Sequence, residues 1–167
     1  KDLLRVGVVA RILHSIRLSN GHYQIMAEGL YRAERCHTDF SGAFPVSDVV
    51  VPELSPVPES KLNQAIIETW EHLREYLRYT PKPSPEVMEE AKKIRDASYL
   101  ADFLTSNFIN NFEDRCAVLE ELHPVKRLSR LCQIFAKDID LMKLEGEILA
   151  KTKYSIQQQQ RERFLRE

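Results

Sequence analysis

The last third of the chain, from Pro124 to Glu167, is the feature that most limits the possible folds. After its opening proline this segment contains no further proline and a single glycine, so nothing in it stops a helix. As one α-helix it would run about 66 Å at roughly 1.5 Å per residue, about twice the width of a domain of this size. Only part of such a helix can be buried, so one end must project.

The spacing of apolar residues divides this helix into two parts. Between Leu128 and Leu149 apolar residues recur every three or four positions, as on a buried helix face. Beyond Leu149 they become sparse among lysines, arginines and four consecutive glutamines. We therefore predict that the first part packs, that the helix bends near Gly146, and that residues 150–167 project.

Four apolar side chains on the projecting part are the candidate contact residues. They are Tyr154, Ile156, Phe164 and Leu165. At 100° per residue, Ile156 falls within about 20° of Leu149 around the helix axis, and no predicted helix has an apolar face left to cover this strip. These side chains either pack against a helix outside this chain or contact another apolar surface.

The N-terminal third has the pattern of a β-hairpin. Residues 6–18 alternate between apolar and polar with one interruption, His14, which predicts a strand with one buried face and a core histidine. Asn20-Gly21 is a preferred sequence for a two-residue type I′ turn. Such a turn pairs Leu18 with Tyr23, Ile16 with Ile25, and His14 with Ala27. Gly29 predicts a bulge, and residues 44–51 predict a further strand.

Helices follow a proline-rich linker formed by Pro52, Pro56 and Pro58, because the apolar period changes there from two to 3.6. The first helix has an apolar stripe, on which we expect Trp70 to be buried as the largest side chain. The stripe contains Leu62, Ile66, Trp70, Leu73 and Leu77.

Three shorter helices are predicted to begin at capping residues: Ser84, a residue between Asp96 and Ser98, and Asn111. We expect the last of these helices to bury Phe112. The loops between the helices are short, which indicates antiparallel neighbours.

Composition favours a globular chain and gives no sign of catalysis. The 167 residues are 43% hydrophobic, and a net charge of −1 with mixed signs does not supply the basic face that duplex nucleic acid requires. Phosphate-binding, nucleophile-elbow and metalloprotease motifs are absent from the sequence. We therefore expect no catalytic, cofactor-binding or metal-binding residue in this chain.

Cysteine usage and hydropathy indicate a cytoplasmic location. Cys36, Cys116 and Cys132 are odd in number and far apart, which disfavours a disulfide framework or a zinc site and favours a reducing compartment. The adjacent Cys36-His37 pair has no further ligands nearby in the sequence. Because the sequence also contains no signal peptide and no long apolar run, we expect no membrane association.

Four segments resemble the N-terminal domain of the Lon family of ATP-dependent proteases. In chain order they are VGVVARILHSIRLSNGHYQIMAEGLYRAE, RDASYLADFLTSNF, LEELHPVKRL and QQQQRERFLRE. The sequence departs from the family at Ser19, where a proline is usual, and it matches poorly from Cys36 to Val51. The family's domain also begins with earlier strands that are missing here.

The resemblance implies an α+β fold in three parts. Residues 1–58 would form an incomplete PUA-like β-barrel, made of the hairpin and its neighbouring strands. Residues 59–149 would form an antiparallel helical bundle, and residues 150–167 the projecting end of the long helix, which leads towards a downstream ATPase module.

The resemblance also implies a function: non-catalytic substrate recognition and assembly in a homohexameric protease. Its partners would be unfolded or degron-bearing proteins, including short-lived regulatory proteins. The candidate contacts with such a client protein or with a neighbouring subunit are Tyr154, Ile156, Phe164 and Leu165. The P-loop ATPase, with its ATP and Mg²⁺, and the Ser-Lys peptidase dyad would lie beyond Glu167. The alternatives are a stand-alone Lon-domain adaptor or a helical scaffold without protease activity, and QRERFLRE favours the protease because it matches the family's connection to the ATPase.

Overall fold

A computed structural model of the chain describes residues 3–164. Three strands form one antiparallel sheet in the order β1-β2-β3, and five helices follow, so the fold is α+β as predicted. The elements are β1 (Val6–Arg17), β2 (Tyr23–Asp39), β3 (Val46–Val50), α1 (Glu59–Tyr76), α2 (Pro85–Lys93), α3 (Ala97–Phe108), α4 (Phe112–Glu120) and α5 (Pro124–Phe164).

The β1–β2 hairpin forms where it was predicted, but its turn and register differ from the prediction. The Gly21 N–H donates to the Leu18 carbonyl at 3.0 Å, and the Leu18 N–H donates to the His22 carbonyl at 2.7 Å. Among residues 3–164 only Gly21 has a positive φ, of 84°. The loop is therefore a three-residue turn ending in a left-handed glycine, not a type I′ turn, which needs positive φ at both central residues.

This loop shifts the register by one residue. The observed pairs include Arg17 with Tyr23, Ser15 with Ile25, and Ile12 with Ala27. The predicted pairs Leu18 with Tyr23, Ile16 with Ile25, and His14 with Ala27 are therefore wrong. Asn20 contributes through its side chain, since its Oδ1 accepts a hydrogen bond from the His22 N–H at 3.0 Å.

Three bulges interrupt the sheet. The register skips Leu30, next to Gly29, so the predicted bulge is confirmed; it also skips Leu13 in β1 and Cys36 in β2. A Cβ added at Gly29 would lie 3.2 Å from the Val8 side chain, which explains the glycine. Because each bulge exchanges the two faces for the residues beyond it, a strict alternation in sequence does not give one continuous face.

Most of the sheet is exposed, which contradicts the predicted buried strand face. Val6 and Ala33 are its buried residues, and they lie at the end of the sheet where β1 contacts α4. Further along β1, Ile12 is 64% exposed and Ile16 is also exposed. His14, predicted to be a core histidine, is exposed as well. Among the described residues no element covers either face of this part of the sheet.

The shorter helices begin where their capping residues predicted. Ser84, Asp96 and Asn111 are the N-caps of α2, α3 and α4, and each side chain accepts a backbone N–H three residues later, at 3.4, 2.7 and 2.9 Å. These bonds satisfy N–H groups that a helix start otherwise leaves without a partner. Helix starts were predictable because each cap and the backbone N–H that donates to it are close in sequence.

The core lies among α1, α3 and the first half of α5. Its largest fully buried side chains include Phe135, Leu73, Leu100, Leu104, Leu128 and Leu131. On α1 the buried residues are Ala65, Thr69, Leu73 and Tyr76, which form a face rotated from the predicted stripe. Trp70 is half-buried at the edge of this face rather than buried at its centre.

The burial predicted for Phe112 is wrong. Phe112, predicted to be buried, is 75% exposed at the first position of α4, and Val118 is the buried residue of that helix.

The long helix is present and runs without a break through Gly146. Its last half-buried residue is Met142, and every described side chain from Lys143 onwards is exposed. We call residues 143–164 the arm; at roughly 1.5 Å per residue it is about 33 Å long.

Candidate functional site

Apolar side chains lie exposed along the arm and the turn of helix before it. They are Leu141, Leu144, Ile148, Leu149, Tyr154 and Ile156, and each is at least half exposed. At 100° per residue all of these except Tyr154 fall within a sector of about 140° around the helix axis. We call these five residues the apolar stripe. Tyr154 lies on another side, where its hydroxyl accepts a hydrogen bond from Gln158 Nε2 at 3.0 Å.

The predicted contact residues are therefore only partly brought together. Tyr154 and Ile156 are exposed, at 65% and 51%, but they are on different sides of the helix. The backbone of Phe164 belongs to α5, its side chain lies outside the described part of the structure, and Leu165 lies outside the described residues. The role of these residues remains a prediction.

Leu141, Leu144 and Ile148 were not among the predicted contact residues. Their spacing of three and four positions was the available signal, since it places them on one helix face. They precede residue 150, within the part of the helix that the apolar pattern predicted to be packed. Their exposure depends on which elements lie beside α5, and spacing alone does not contain that information.

A cleft of about 570 Å³ separates the sheet from α3 and α4. Val8, Leu30 and Tyr31 line it from the sheet, and Tyr99 and Val118 line it from the helices. These residues come from segments far apart in sequence, so no local pattern predicts the cleft. Its lining is largely apolar, apart from a group of charged side chains.

The main charged group in the cleft is an ion pair that joins the sheet to the helices. Both terminal nitrogens of Arg32, on β2, donate to the carboxylate of Asp102, on α3, at 2.7 and 2.5 Å. Arg32 Nε also donates to the Leu119 carbonyl at 3.0 Å. This planar, two-bond geometry is the strongest form of an arginine–carboxylate pair.

A second arginine lies behind the same carboxylate. Arg127, on α5, is only 3% exposed, and its Nη1 lies 3.7 Å from Asp102 Oδ2. Its Nε and Nη2 donate to the Glu121 and Leu122 carbonyls, at 2.8 and 3.0 Å, just beyond the end of α4. Burial, followed by the neighbouring Arg32 charge, lowers the pKa of Arg127. Nη1 is buried and makes no hydrogen bond with any described residue.

The cysteines and histidines of the described residues form no reactive or metal-binding site. Burial raises the pKa of the Cys132 thiol, which lies 3.5 Å from the Thr69 hydroxyl, so the nucleophilic thiolate is disfavoured. Cys36-His37 lies within β2, beside a bulge. From residue 3 to residue 164 no three histidine, cysteine or carboxylate side chains are grouped closely enough to hold a metal. The described helices also include none with the length and apolar content required to cross a bilayer.

Comparisons with known proteins agree on one family. A family model described as the ATP-dependent protease La (LON) substrate-binding domain matches residues 1–137. The Lon protease of Bacillus thuringiensis (strain Al Hakam) is 30% identical over 99% of this chain. The Lon proteases of Buchnera aphidicola subsp. Baizongia pistaciae and Elusimicrobium minutum are each 28% identical over 99% and 100% of it.

The chain spans about a fifth of the length of these relatives, between 20% and 21%. A solved structure, the N-terminal domain of Mycobacterium avium complex Lon protease, has a similar fold, with a TM-score of 0.61 and 21% identity. The alignment covers 81% of this chain and 73% of that structure. Since the family model matches most of the chain, the chain belongs to the family of ATP-dependent protease La (LON) substrate-binding domains.

Proposed function

We propose that this chain is the non-catalytic substrate-recognition and assembly domain of an ATP-dependent Lon protease that degrades misfolded and short-lived regulatory proteins. The family match over residues 1–137 is the observation that carries the proposal. Its substrates would be unfolded or degron-bearing proteins. ATP, Mg²⁺ and the Ser-Lys dyad would belong to other parts of a cytoplasmic homohexamer.

The exposed sheet supports a more detailed proposal about the fold. Val8, Ile12 and Ile16 are exposed on β1, which is an edge strand with unpaired backbone groups. Exposed sheet edges and contiguous apolar faces are normally covered in a complete protein. We propose that further strands of the whole protein complete a PUA-like barrel here, beside an antiparallel bundle formed by the helices.

For the arm we propose contact with unfolded client segments. The apolar stripe projects from the helical core among charged and glutamine side chains. Unfolded segments present apolar groups without fixed geometry, and a sparse apolar stripe on a polar helix can contact many of them without requiring one shape. The alternative is that the stripe packs against a neighbouring subunit or the downstream module.

Serine substitutions in the full-length enzyme separate these two roles. Leu149→Ser with Ile156→Ser removes apolar surface at exposed positions, so the fold of the domain should be kept. Gln157→Ser is the matched control, because it is also exposed and lies beside Ile156 but carries no apolar side chain. Degradation of an unfolded protein, degradation of a short peptide and the mass of the oligomer are measured for each variant.

We expect the double variant to lose degradation of the unfolded protein while peptide cleavage and the oligomer stay intact. Loss of the oligomer would instead assign the stripe to subunit packing. Unchanged degradation of both substrates would remove the arm from substrate recognition. Sequencing the gene beyond Glu167 for a phosphate-binding loop separates the protease from the stand-alone adaptor.

A further inference from the structure

The sheet and the helices meet over a small area. Among the described elements β1 and α4 form the main contact between the two parts, and Val6 and Ala33 are the buried residues of the sheet. The side-chain hydrogen bonds that cross this junction come from Arg32 and, at its exposed edge, from the Arg5 N–H to Glu120 Oε1 at 3.0 Å. Since so little apolar surface holds the sheet, the Arg32–Asp102 pair has a large share in fixing its position.

Two arginines lie near the Asp102 carboxylate, and only one of them, Arg32, is hydrogen-bonded to it. Arg32 takes both carboxylate oxygens, whereas Arg127 Nη1 is 3.7 Å from Oδ2 and makes no hydrogen bond with the described residues. A buried guanidinium nitrogen without an acceptor is costly, because it has lost its hydration without replacement. A small rotation of the Asp102 side chain towards Arg127 would give that nitrogen an acceptor and weaken the bond to Arg32.

We propose that Asp102 is a two-position latch between the sheet and the helices. In the closed position it binds Arg32 and holds the sheet against α3 and α4. In the open position it binds Arg127, Arg32 also gives up its bond to the Leu119 carbonyl and is released to water, and the sheet turns as a rigid body about the β1–α4 contact. The open position is reachable because the bond that Arg127 gains offsets part of what Arg32 loses.

The latch position sets how far apart the two walls of the cleft lie, because Arg32 and Asp102 line opposite walls. Release of Arg32 separates the sheet wall, with Val8, Leu30 and Tyr31, from the helix wall, with Tyr99 and Val118. The closed cleft therefore exposes less apolar surface than the open one. This inference concerns the motion alone and does not depend on the proposed role of the arm or of the family in substrate recognition.

Spin labels placed on the two parts test the motion. One label is attached at Gln24→Cys in β2 and the other at Glu71→Cys in α1, both exposed positions, after Cys36, Cys116 and Cys132 are replaced by serine or alanine. Distances between the labels are measured by pulsed electron paramagnetic resonance. A second pair, at Gln24 and Asp48, lies within the sheet and reports any distortion of the sheet itself.

Arg32→Met should shift the distance between sheet and helix to a longer, broader distribution and leave the distance within the sheet unchanged. Arg11→Met is the matched control, since it removes an exposed pair of the same sheet, with Glu28 at 3.9 Å, and should change neither distance. Asp102→Asn should open the junction as well. Arg127→Met, which removes the competing arginine, should narrow the distribution.

Each result either supports or overturns the latch. Equal distributions for the parent chain, Arg32→Met and Asp102→Asn would overturn it, as would an unchanged or broader distribution in Arg127→Met with its helix content intact. Should Arg32→Met fail to fold, the parent chain at rising salt concentration gives the same test, because salt weakens a partly exposed pair. No broadening at high salt would then contradict the proposal.

Discussion

Phe135 and Phe112 are the same residue type in opposite environments. Phe135 is fully buried on α5, with its ring 4.8 Å from that of Tyr76, whereas Phe112 is 75% exposed at the start of α4. Truncation of a buried phenylalanine removes its transfer free energy and leaves a cavity, at a cost of about 3–5 kcal/mol. We expect Phe135→Ala to lower the free energy of unfolding by about this amount and Phe112→Ala to change it by less than about 0.5 kcal/mol.

Denaturant unfolding followed by circular dichroism measures both values. Trp70→Ala should lower the free energy of unfolding by an amount between those of Phe135→Ala and Phe112→Ala, because Trp70 is half-buried at the edge of the core. If Phe112→Ala lowered the free energy of unfolding as much as Phe135→Ala does, another part of the protein would have to cover Phe112.

Asp138 makes the stability of the helical part depend on pH. Burial raises its pKa; nearby Lys137 lowers it and Asp114 raises it, each to a smaller extent. A raised folded-state pKa means that the folded chain holds the proton more tightly, so the contribution of Asp138 is fully present below the unfolded pKa of about 3.9 and is lost as pH rises through the folded pKa.

Replacement by asparagine removes this titration. We expect Asp138→Asn to raise the free energy of unfolding at neutral pH more than at pH values below the unfolded pKa. Unfolding curves of the parent and the variant across the acidic range provide the measurement. A variant whose stability changes with pH as steeply as the parent's would assign the dependence to other groups.

At the scale of elements, the sequence predicts helix starts much better than strand faces. Ser84, Asp96 and Asn111 were predictable because each caps an N–H only three residues away. In the sheet, the Gly21 loop has one residue more than predicted, and this changed the register. The bulges at Leu13 and Leu30 then moved the residues beyond them to the opposite face of the sheet. These shifts depend on pairing between strands, which a pattern along one strand does not record.

Burial was the least predictable property, because it depends on which elements lie opposite one another. On α1 the face towards α5 contains Ala65 and Thr69 instead of the centre of the predicted stripe, and Trp70 lies at its edge. The exposed arm was predicted correctly at Tyr154 and Ile156, where apolar residues are sparse. The cleft and the Arg32–Asp102 pair could not be predicted, since 70 positions separate the two partners.

Gly146 provides a prediction about the arm as an element. A Cβ placed there meets nothing within 4 Å, and no positive φ occurs at this position. Alanine is more favourable than glycine by about 0.8–1.0 kcal/mol inside a helix. We expect Gly146→Ala to slow hydrogen exchange of neighbouring arm amides by roughly fourfold to fivefold, since about 1.4 kcal/mol corresponds to tenfold.

The free energy of global unfolding of this variant should barely change, because the described side chains of the arm are exposed and only Lys143, whose Nζ lies 5.4 Å from the Tyr79 ring centre, is seen to contact the helical part. Gly21→Ala is the contrasting substitution and should destabilise the hairpin, since a φ of 84° strains alanine by about 1–2 kcal/mol. Faster exchange in the arm of Gly146→Ala would indicate that the glycine has a role in a bend.

For the whole molecule, the two parts of the fold are held together by different forces. The helical part buries a continuous set of apolar side chains contributed by all five described helices. The sheet buries Val6 and Ala33 and otherwise depends on its backbone hydrogen bonds and the Arg32 pair. Backbone hydrogen bonds exposed to water add little net stability, and small sheets without a covered apolar face are only marginally stable alone.

We therefore expect the sheet of this chain to open before the helical core. Native-state hydrogen exchange, read residue by residue, gives the opening free energy of each part. Amides in β1 and β2 beyond the α4 contact should exchange at least about tenfold faster than those of α1 and α3, a difference of about 1.4 kcal/mol or more. Amides beside Val6 and Ala33 should be intermediate, because that end of the sheet is buried against α4. Equal protection throughout would mean that one cooperative unit includes the sheet, and that the junction is stronger than its few contacts suggest. Protection that rises in the sheet alone within the full-length protein would show that other strands cover its faces there.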